Sequence, residues 1–240
     1  MRDTKPSTDR LIGMIKLFQF FEKNGKVKIY PKNAAIGGIP VTLPLSVYYI
    51  KYGFVKVVAS SKHDNEFLEL MYGKNDIFPL LALSTFLSGK LKYLAVNRVK
   101  VYSLEADFVL DAFKENTGLS SAMMNYMIND AIFIKGLLQD AHYKSAHDKL
   151  AYGLVIIAVR FGKIDEQIVS LDKVFNHRLI GEMVNLSRET VTRELGILRS
   201  KGLVYILDGQ IVIMDMNKLE DELDKSFEPS LMEQFENKQI

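Results

Sequence analysis

Seven consecutive residues, Ser187-Arg188-Glu189-Thr190-Val191-Thr192-Arg193, hold the side chains best suited to recognition chemistry. An Arg guanidinium can donate two parallel bonds to guanine O6 and N7, and a Glu carboxylate can accept from the N4 amine of cytosine. The same residues admit a plainer role. Glu189 and Arg193 are four apart, so on a helix they can form a surface ion pair stabilising it by about 0.2–0.5 kcal/mol. Spacing alone leaves both readings open.

The elements that must position these groups are legible around them. Ser187 suits an N-cap, because its oxygen can accept a free backbone N–H of the first turn. Val191, Leu195 and Leu198 then recur at helical spacing and form one apolar stripe. At roughly 100° per residue, Glu189, Thr192, Arg193, Gly196 and Ser200 fall on the opposite face, with Arg188 near its edge. A shorter helix precedes this one, capped by Asn176, with Leu179, Ile180, Met183 and Val184 as its apolar side. Asn185-Leu186 links the two, and Asn tolerates the left-handed conformation a tight turn needs. Two helices so joined form a helix-turn-helix, whose second helix can enter the major groove.

Residues 176–204, with Gly181, Ser187-Arg188-Glu189-Thr190-Val191, Arg193, Leu195, Leu198 and Lys201-Gly202-Leu203-Val204, resemble the helix-turn-helix of the Crp/Fnr family of bacterial transcription regulators. The resemblance implies that Arg188, Glu189 and Arg193 read bases in each half-site. It makes Ser187, Thr190 and Thr192 phosphate-contact candidates, and Arg199 and Lys201 supply local positive charge for the same purpose. Asn185 departs from the family, which usually has Gly there.

The chain has 240 residues, enough for two domains of ordinary size. Its net charge is +2, so any attraction to DNA is local. With no cysteine there are no disulfides, thiolate metal sites or cysteine-ligated clusters, and a bacterial cytosol fits. The apolar run at 11–21 is interrupted by Lys16 and is followed by no small-residue cleavage site, which argues against a signal peptide. No run approaches the roughly 18 apolar residues of a membrane span.

Residues 11–21 read as a helix. From Val27 to Tyr102 the chain reads as strands: Val27–Tyr30, Val47–Ile50, Phe54–Val58, Phe67–Met71, Lys92–Val96 and Val99–Tyr102, with turn residues between. Many short strands suggest a barrel or sandwich. Tyr48 to Val57 resembles the hairpin entering the β-roll of a cyclic-nucleotide-binding-type domain, and Gly73 to Phe78 resembles its turn. Nucleotide-binding members continue with a Gly-Glu-Leu stretch and an Arg among small residues. Here Pro79-Leu80-Leu81-Ala82-Leu83 follows, and no Glu appears until Glu105. An anion site without that Arg loses most of its charge-assisted bonds, so tight cyclic AMP binding is not expected.

Residues 103–116 read as a short helix with Phe108, Val109, Ala112 and Phe113 as its apolar side, broken at Asn116-Thr117-Gly118. A longer helix runs from about 120 to 144. Met124, Met127, Ala131, Ile134, Leu138 and Ala141 make a heptad seam on it, and Met123, Ile128, Ile132 and Leu137 make a second stripe. One stripe can pack on the β domain and the other on a partner chain; a single helix buried on both sides of a monomer is the alternative. The family resemblance implies a parallel homodimer. Residues 146–161 form another helix, 168–171 a short strand, and 217–225 a closing helix. Asp208-Gly209 joins two strands into a wing.

Other chemistry finds little support. His142 and His147 are five apart, off a common helix face, so no metal site is expected. Ser88-Gly89-Lys90 lacks the upstream Gly of a phosphate loop, and no Gly-x-Ser-x-Gly elbow occurs. Tyr48, Tyr49 and Tyr52 have faces that can stack on bases, but a β core is their expected place.

These observations imply an α+β chain: a β-roll sensor over 1–117, a dimerisation helix over 118–145, a winged helix-turn-helix over 146–225, and a tail over 226–240. The expected function is sequence-specific binding of double-stranded DNA at a pseudo-palindromic site by a cytoplasmic homodimer, without catalysis or cofactor. RNA polymerase is a further partner the resemblance implies, with activation or repression as the outcome. A winged-helix module for protein interaction and an atypical cyclic-nucleotide-responsive regulator are the alternatives.

Overall fold

The computed structural model describes residues 8–39, 45–60, 66–84, 91–139, 145–165 and 168–223. The chain divides into two compact units, Thr8–Met127 and Ile128–Ile240.

The first unit opens with α1 (Thr8–Asn24), whose Leu17 and Phe21 are buried. Two antiparallel four-stranded sheets follow. One has the order β1 (Lys26–Tyr30), β8 (Val99–Glu105), β3 (Ser46–Tyr52), β6 (Ile77–Phe78). The other has the order β2 (Ala35–Ile39), β7 (Leu91–Ala95), β4 (Val55–Ser60), β5 (Glu66–Tyr72). Strand β3 is covered on both faces. Val47 and Tyr49 join the cluster that includes Leu17, Phe21 and Val109, while Ile50 joins the cluster between the sheets. Side chains alternate along a strand, so one short run serves two cores.

Two strands have no strong sequence signature. Ala35-Ile36-Gly37-Gly38-Ile39 is poor in β-formers, yet its backbone pairs with β7, with a bulge between Ala35 and Gly37. Ile77-Phe78 belongs to the segment read as a turn, and pairs with Tyr49 and Tyr48. Tyr126 supports β6 from the helix beyond: its hydroxyl accepts from Ile77 N at 2.8 Å and donates to Ile77 O at 3.2 Å.

The short helix α2 spans Ala106–Glu115. Residues 103–105 therefore extend β8, contrary to the sequence reading, because they pair with β1 and β3. Phe108 is exposed and stacks on Phe20 at 6.0 Å, so it is not part of the buried side. The following helix, α3, spans Thr117–Gln139. Its buried line runs through Leu119, Met123, Tyr126, Asp130 and Phe133. The second stripe read from sequence is thus corrected: Met123 is buried, but Ile128 and Ile132 are exposed. The true line includes a charged residue, which an apolar count passes over. Asp130 is paired with Arg160 at 2.8 Å, and that guanidinium lies 4.6 Å from the Phe133 ring centroid.

The second unit is built on α4 (Ala146–Phe161), buried without a break from Leu150 to Ala158. Around it lie α5 (His177–Val184), α6 (Arg188–Ser200) and α7 (Met216–Asp221). A sheet of order β11 (Val204–Leu207), β12 (Gln210–Ile213), β10 (Ile168–Ser170), β9 (Lys163–Asp165) completes it. Strand β9, all of it exposed, has no apolar signature in the sequence. Asp208 and Gly209 both have positive φ, 50° and 77°, as the two-residue turn of the wing demands.

Candidate nucleic-acid interface

The turn between α5 and α6 takes its shape from three residues. Asn176 caps α5, its side chain accepting from Arg178 N and Leu179 N. Asn185 adopts the left-handed conformation, φ 52° and ψ 47°, and its N–H donates to Gly181 O. Gly181 permits the close return: a Cβ there would stand 2.5 Å from Leu186 O. Ser187 then caps α6 by accepting from Thr190 N at 3.1 Å. Val191, Leu195 and Leu198 are buried, which fixes the rotation of α6.

That rotation leaves Arg188, Glu189, Thr192, Arg193, Gly196 and Ser200 exposed on one side. The exposed face expected from the helical spacing is the one observed. No ion pair between Glu189 and Arg193 accompanies it. Arg193 instead turns to its neighbour Glu194, with Nε and Nη2 each 3.0 Å from Glu194 Oε1.

The remaining phosphate-contact candidates are engaged to different degrees. The Ser187 and Thr190 hydroxyls lie 2.9 Å apart. The Thr192 hydroxyl donates to Arg188 O at 2.9 Å and meets His177 Nδ1 at 2.8 Å, tying α6 to the start of α5. Burial, and then the nearby Arg188 charge, hold the His177 pKa below its ordinary value. Arg199 is exposed in the last turn of α6. Lys201, the C-cap, pairs with Glu222. Hydrogen bonding from Lys201 and then His147 holds the Glu222 carboxyl below its usual range.

Glu194 escaped the sequence reading. It lies three residues after Val191 and four before Leu198, on the apolar stripe, and is buried. A carboxylate at an otherwise apolar stripe position is the signal that could have found it. In the first unit Phe78 fills the space between the sheets, stacked 5.3 Å from Tyr48 and 5.5 Å from Tyr72, with Tyr93 5.5 Å away. Burial pushes the Tyr93 hydroxyl up to about 12. Among the described residues no group of His, Asp or Glu is arranged to hold a metal ion, and no helix is long and apolar enough to cross a membrane. His63, His142 and Ser88-Gly89-Lys90 lie outside the described residues.

Residues 148–222 match the Crp-like helix-turn-helix domain. Those residues form a Crp-like helix-turn-helix domain, and the chain is similar to regulators of the Crp/Fnr type. It is 27% identical over 169 residues to the global nitrogen regulator of Nostoc sp., covering 70% of this chain and 76% of that protein. The global nitrogen regulator of Synechococcus elongatus is 25% identical over 171 residues, covering 70% and 77%. The fold matches FixK2 from Bradyrhizobium japonicum with a TM-score of 0.69 at 18% identity, covering 83% of this chain and 98% of that one. A chain with this domain is a DNA-binding transcription regulator, and α6 is the second helix of its helix-turn-helix.

Proposed function

We propose that this chain is a regulator of the Crp/Fnr type that binds a pseudo-palindromic DNA site as a homodimer, reading each half-site through Arg188, Glu189 and Arg193. The observation that carries the reading is the exposed side of α6. It presents two guanidinium groups and a carboxylate beside a helix start whose N-cap is already satisfied within the chain. Ser187, Thr190, Thr192, Arg199 and Lys201 flank these groups as phosphate contacts, Lys201 by exchanging Glu222 for the DNA backbone.

The homodimer reading rests on α3. Met124 is 58% and Met127 48% exposed, and Ala131 and Ile134 are exposed further along the helix. Leu138, the next member of that seam, falls in the last turn of α3, and Ala141 lies outside the described residues. Four exposed apolar residues at alternating spacings of three and four gain by burial against a second copy. A two-fold axis then sets two recognition helices about 34 Å apart, one turn of DNA. In this arrangement 1–117 serves as sensor, 118–145 as dimerisation helix and 146–225 as reader.

The aromatic packing between the sheets supports a sensor that does not hold cyclic AMP tightly. Neither catalysis nor a cofactor enters the proposal. RNA polymerase is the further partner, with activation as the outcome where the site lies beside it. Sedimentation equilibrium of the purified chain tests the dimer: a mass twice 27.3 kDa is expected, and 27.3 kDa would overturn it. Calorimetric titration with cyclic AMP and cyclic GMP tests the sensor; no heat of binding is expected at micromolar nucleotide.

A further inference from the structure

We propose that Glu194 is a positioning residue for base recognition: its buried carboxylate holds the Arg193 guanidinium with one hydrogen-bonding edge presented to DNA. The inference rests on the reading above, in which Arg193 contacts a base.

Adjacent residues on a helix diverge by roughly 100°, so their side chains do not ordinarily face each other. Arg193 and Glu194 meet because the Arg side chain bends around the rim of α6. Glu194 Oε1 accepts from both Nε and Nη2 at 3.0 Å, which occupies the side-on edge of the guanidinium. The end-on edge, Nη1 with the second N–H of Nη2, remains outside that contact. The Arg193 side chain is 67% exposed while that of Glu194 is only 7% exposed. An end-on pair of N–H groups matches guanine O6 and N7. Fixing the plane in advance lowers the ordering cost that a long side chain otherwise meets on binding.

The carboxylate is itself anchored. Its second oxygen, Oε2, lies 3.2 Å from Nδ1 of His147 on α4. Nε2 of His147 lies 3.2 Å from Glu222 Oε2, and Glu222 also pairs with Lys201 at the end of α6. The line Arg193, Glu194, His147, Glu222, Lys201 therefore ties the recognition helix at two points to residues outside it. A buried carboxylate is costly unless it is paired, and stability alone gives little reason to prefer it over an apolar residue on this stripe. Orientation of Arg193 supplies a reason.

The test is selection from random duplex DNA by the full-length protein and three variants, Arg193→Ala, Glu194→Gln and Glu194→Leu, scored position by position. Arg193→Ala is expected to relax one base pair in each half-site by about 5- to 150-fold. Glu194→Leu is expected to relax that same base pair, several-fold, and to leave the others as they were. Glu194→Gln keeps an acceptor of the same shape, so it is expected to fall between Glu194→Leu and the unaltered protein, and it remains informative if Glu194→Leu does not fold. A purely structural role would weaken binding evenly at all positions. Either an even loss, or unchanged base preference in both Glu194 variants while Arg193→Ala relaxes one, overturns the positioning role. If Arg193→Ala relaxes no position, the base-reading role of Arg193 falls first and this inference with it.

Discussion

The two units differ in where their aromatic and polar groups are concentrated. In Thr8–Met127 the large rings turn inward: Phe78 stacks with Tyr48 and Tyr72, and Tyr49 donates to Asn75 at 2.9 Å. In the second unit the core is mainly aliphatic, with Phe133, Tyr152 and Phe175 as buried rings, and α6 sends Arg188, Glu189 and Arg193 outward. Rings packed against one another stabilise the unit that holds them. A region whose hydrogen-bonding groups stay on the surface is prepared for a partner. On the proposed reading DNA recognition belongs to the second unit, so changes in the two should separate stability from specificity.

The largest expected effect breaks the homodimer. Replacing both Met127 and Ile134 by Glu puts charge on exposed residues of α3 and should leave each unit folded. Half-sites would then bind singly, with affinity lower by about 10²- to 10⁴-fold. Sedimentation equilibrium and duplex titration at fixed salt check it. Next is Phe78→Ala, expected to cost about 3–5 kcal/mol in denaturant unfolding of the first unit while leaving base preference unaltered. A shift in base preference would mean that packing in the first unit shapes recognition.

Arg188→Ala should do the reverse: unfolding unchanged, with about 1–3 kcal/mol of discrimination lost at one base pair. Equal weakening on every sequence would count against direct readout. Ser187→Ala should cost about 0.5–2 kcal/mol through loss of the α6 cap, seen as a lower midpoint of unfolding. The smallest effect is that of His177. Its folded pKa lies below the ordinary value of about 6.5. Its stabilising contribution is therefore full above the unfolded pKa and is lost as pH falls through the folded one. Melting between pH 7 and pH 5 should fall more steeply in the unaltered protein than in His177→Gln.

Much of this was legible in the sequence, for reasons that differ by element. The second unit announces itself because its signals are local. Asn176 and Ser187 cap, Asn185 turns left-handed, and Val191, Leu195 and Leu198 repeat at helical spacing. The first unit's main strands were legible from β-branched and aromatic runs. Strand β2 was not, because Ala35-Ile36-Gly37-Gly38-Ile39 is a strand only through its pairing with β7. The buried line of α3 was hidden because Asp130 sits on it, neutralised by Arg160 thirty residues on. Glu194 was hidden for the same physical reason: its partner His147 lies far off in sequence. Charges buried by distant partners defeat local reading, whereas caps and turns reward it.

The most direct test of the central claim is selection of bound sequences from random duplex DNA by the purified protein without added ligand. A two-fold site whose half-sites lie about one helical turn, ~34 Å, apart is the expected product. Recovery of unpaired half-sites, or of no enriched sequence with cell extract also added, would contradict it.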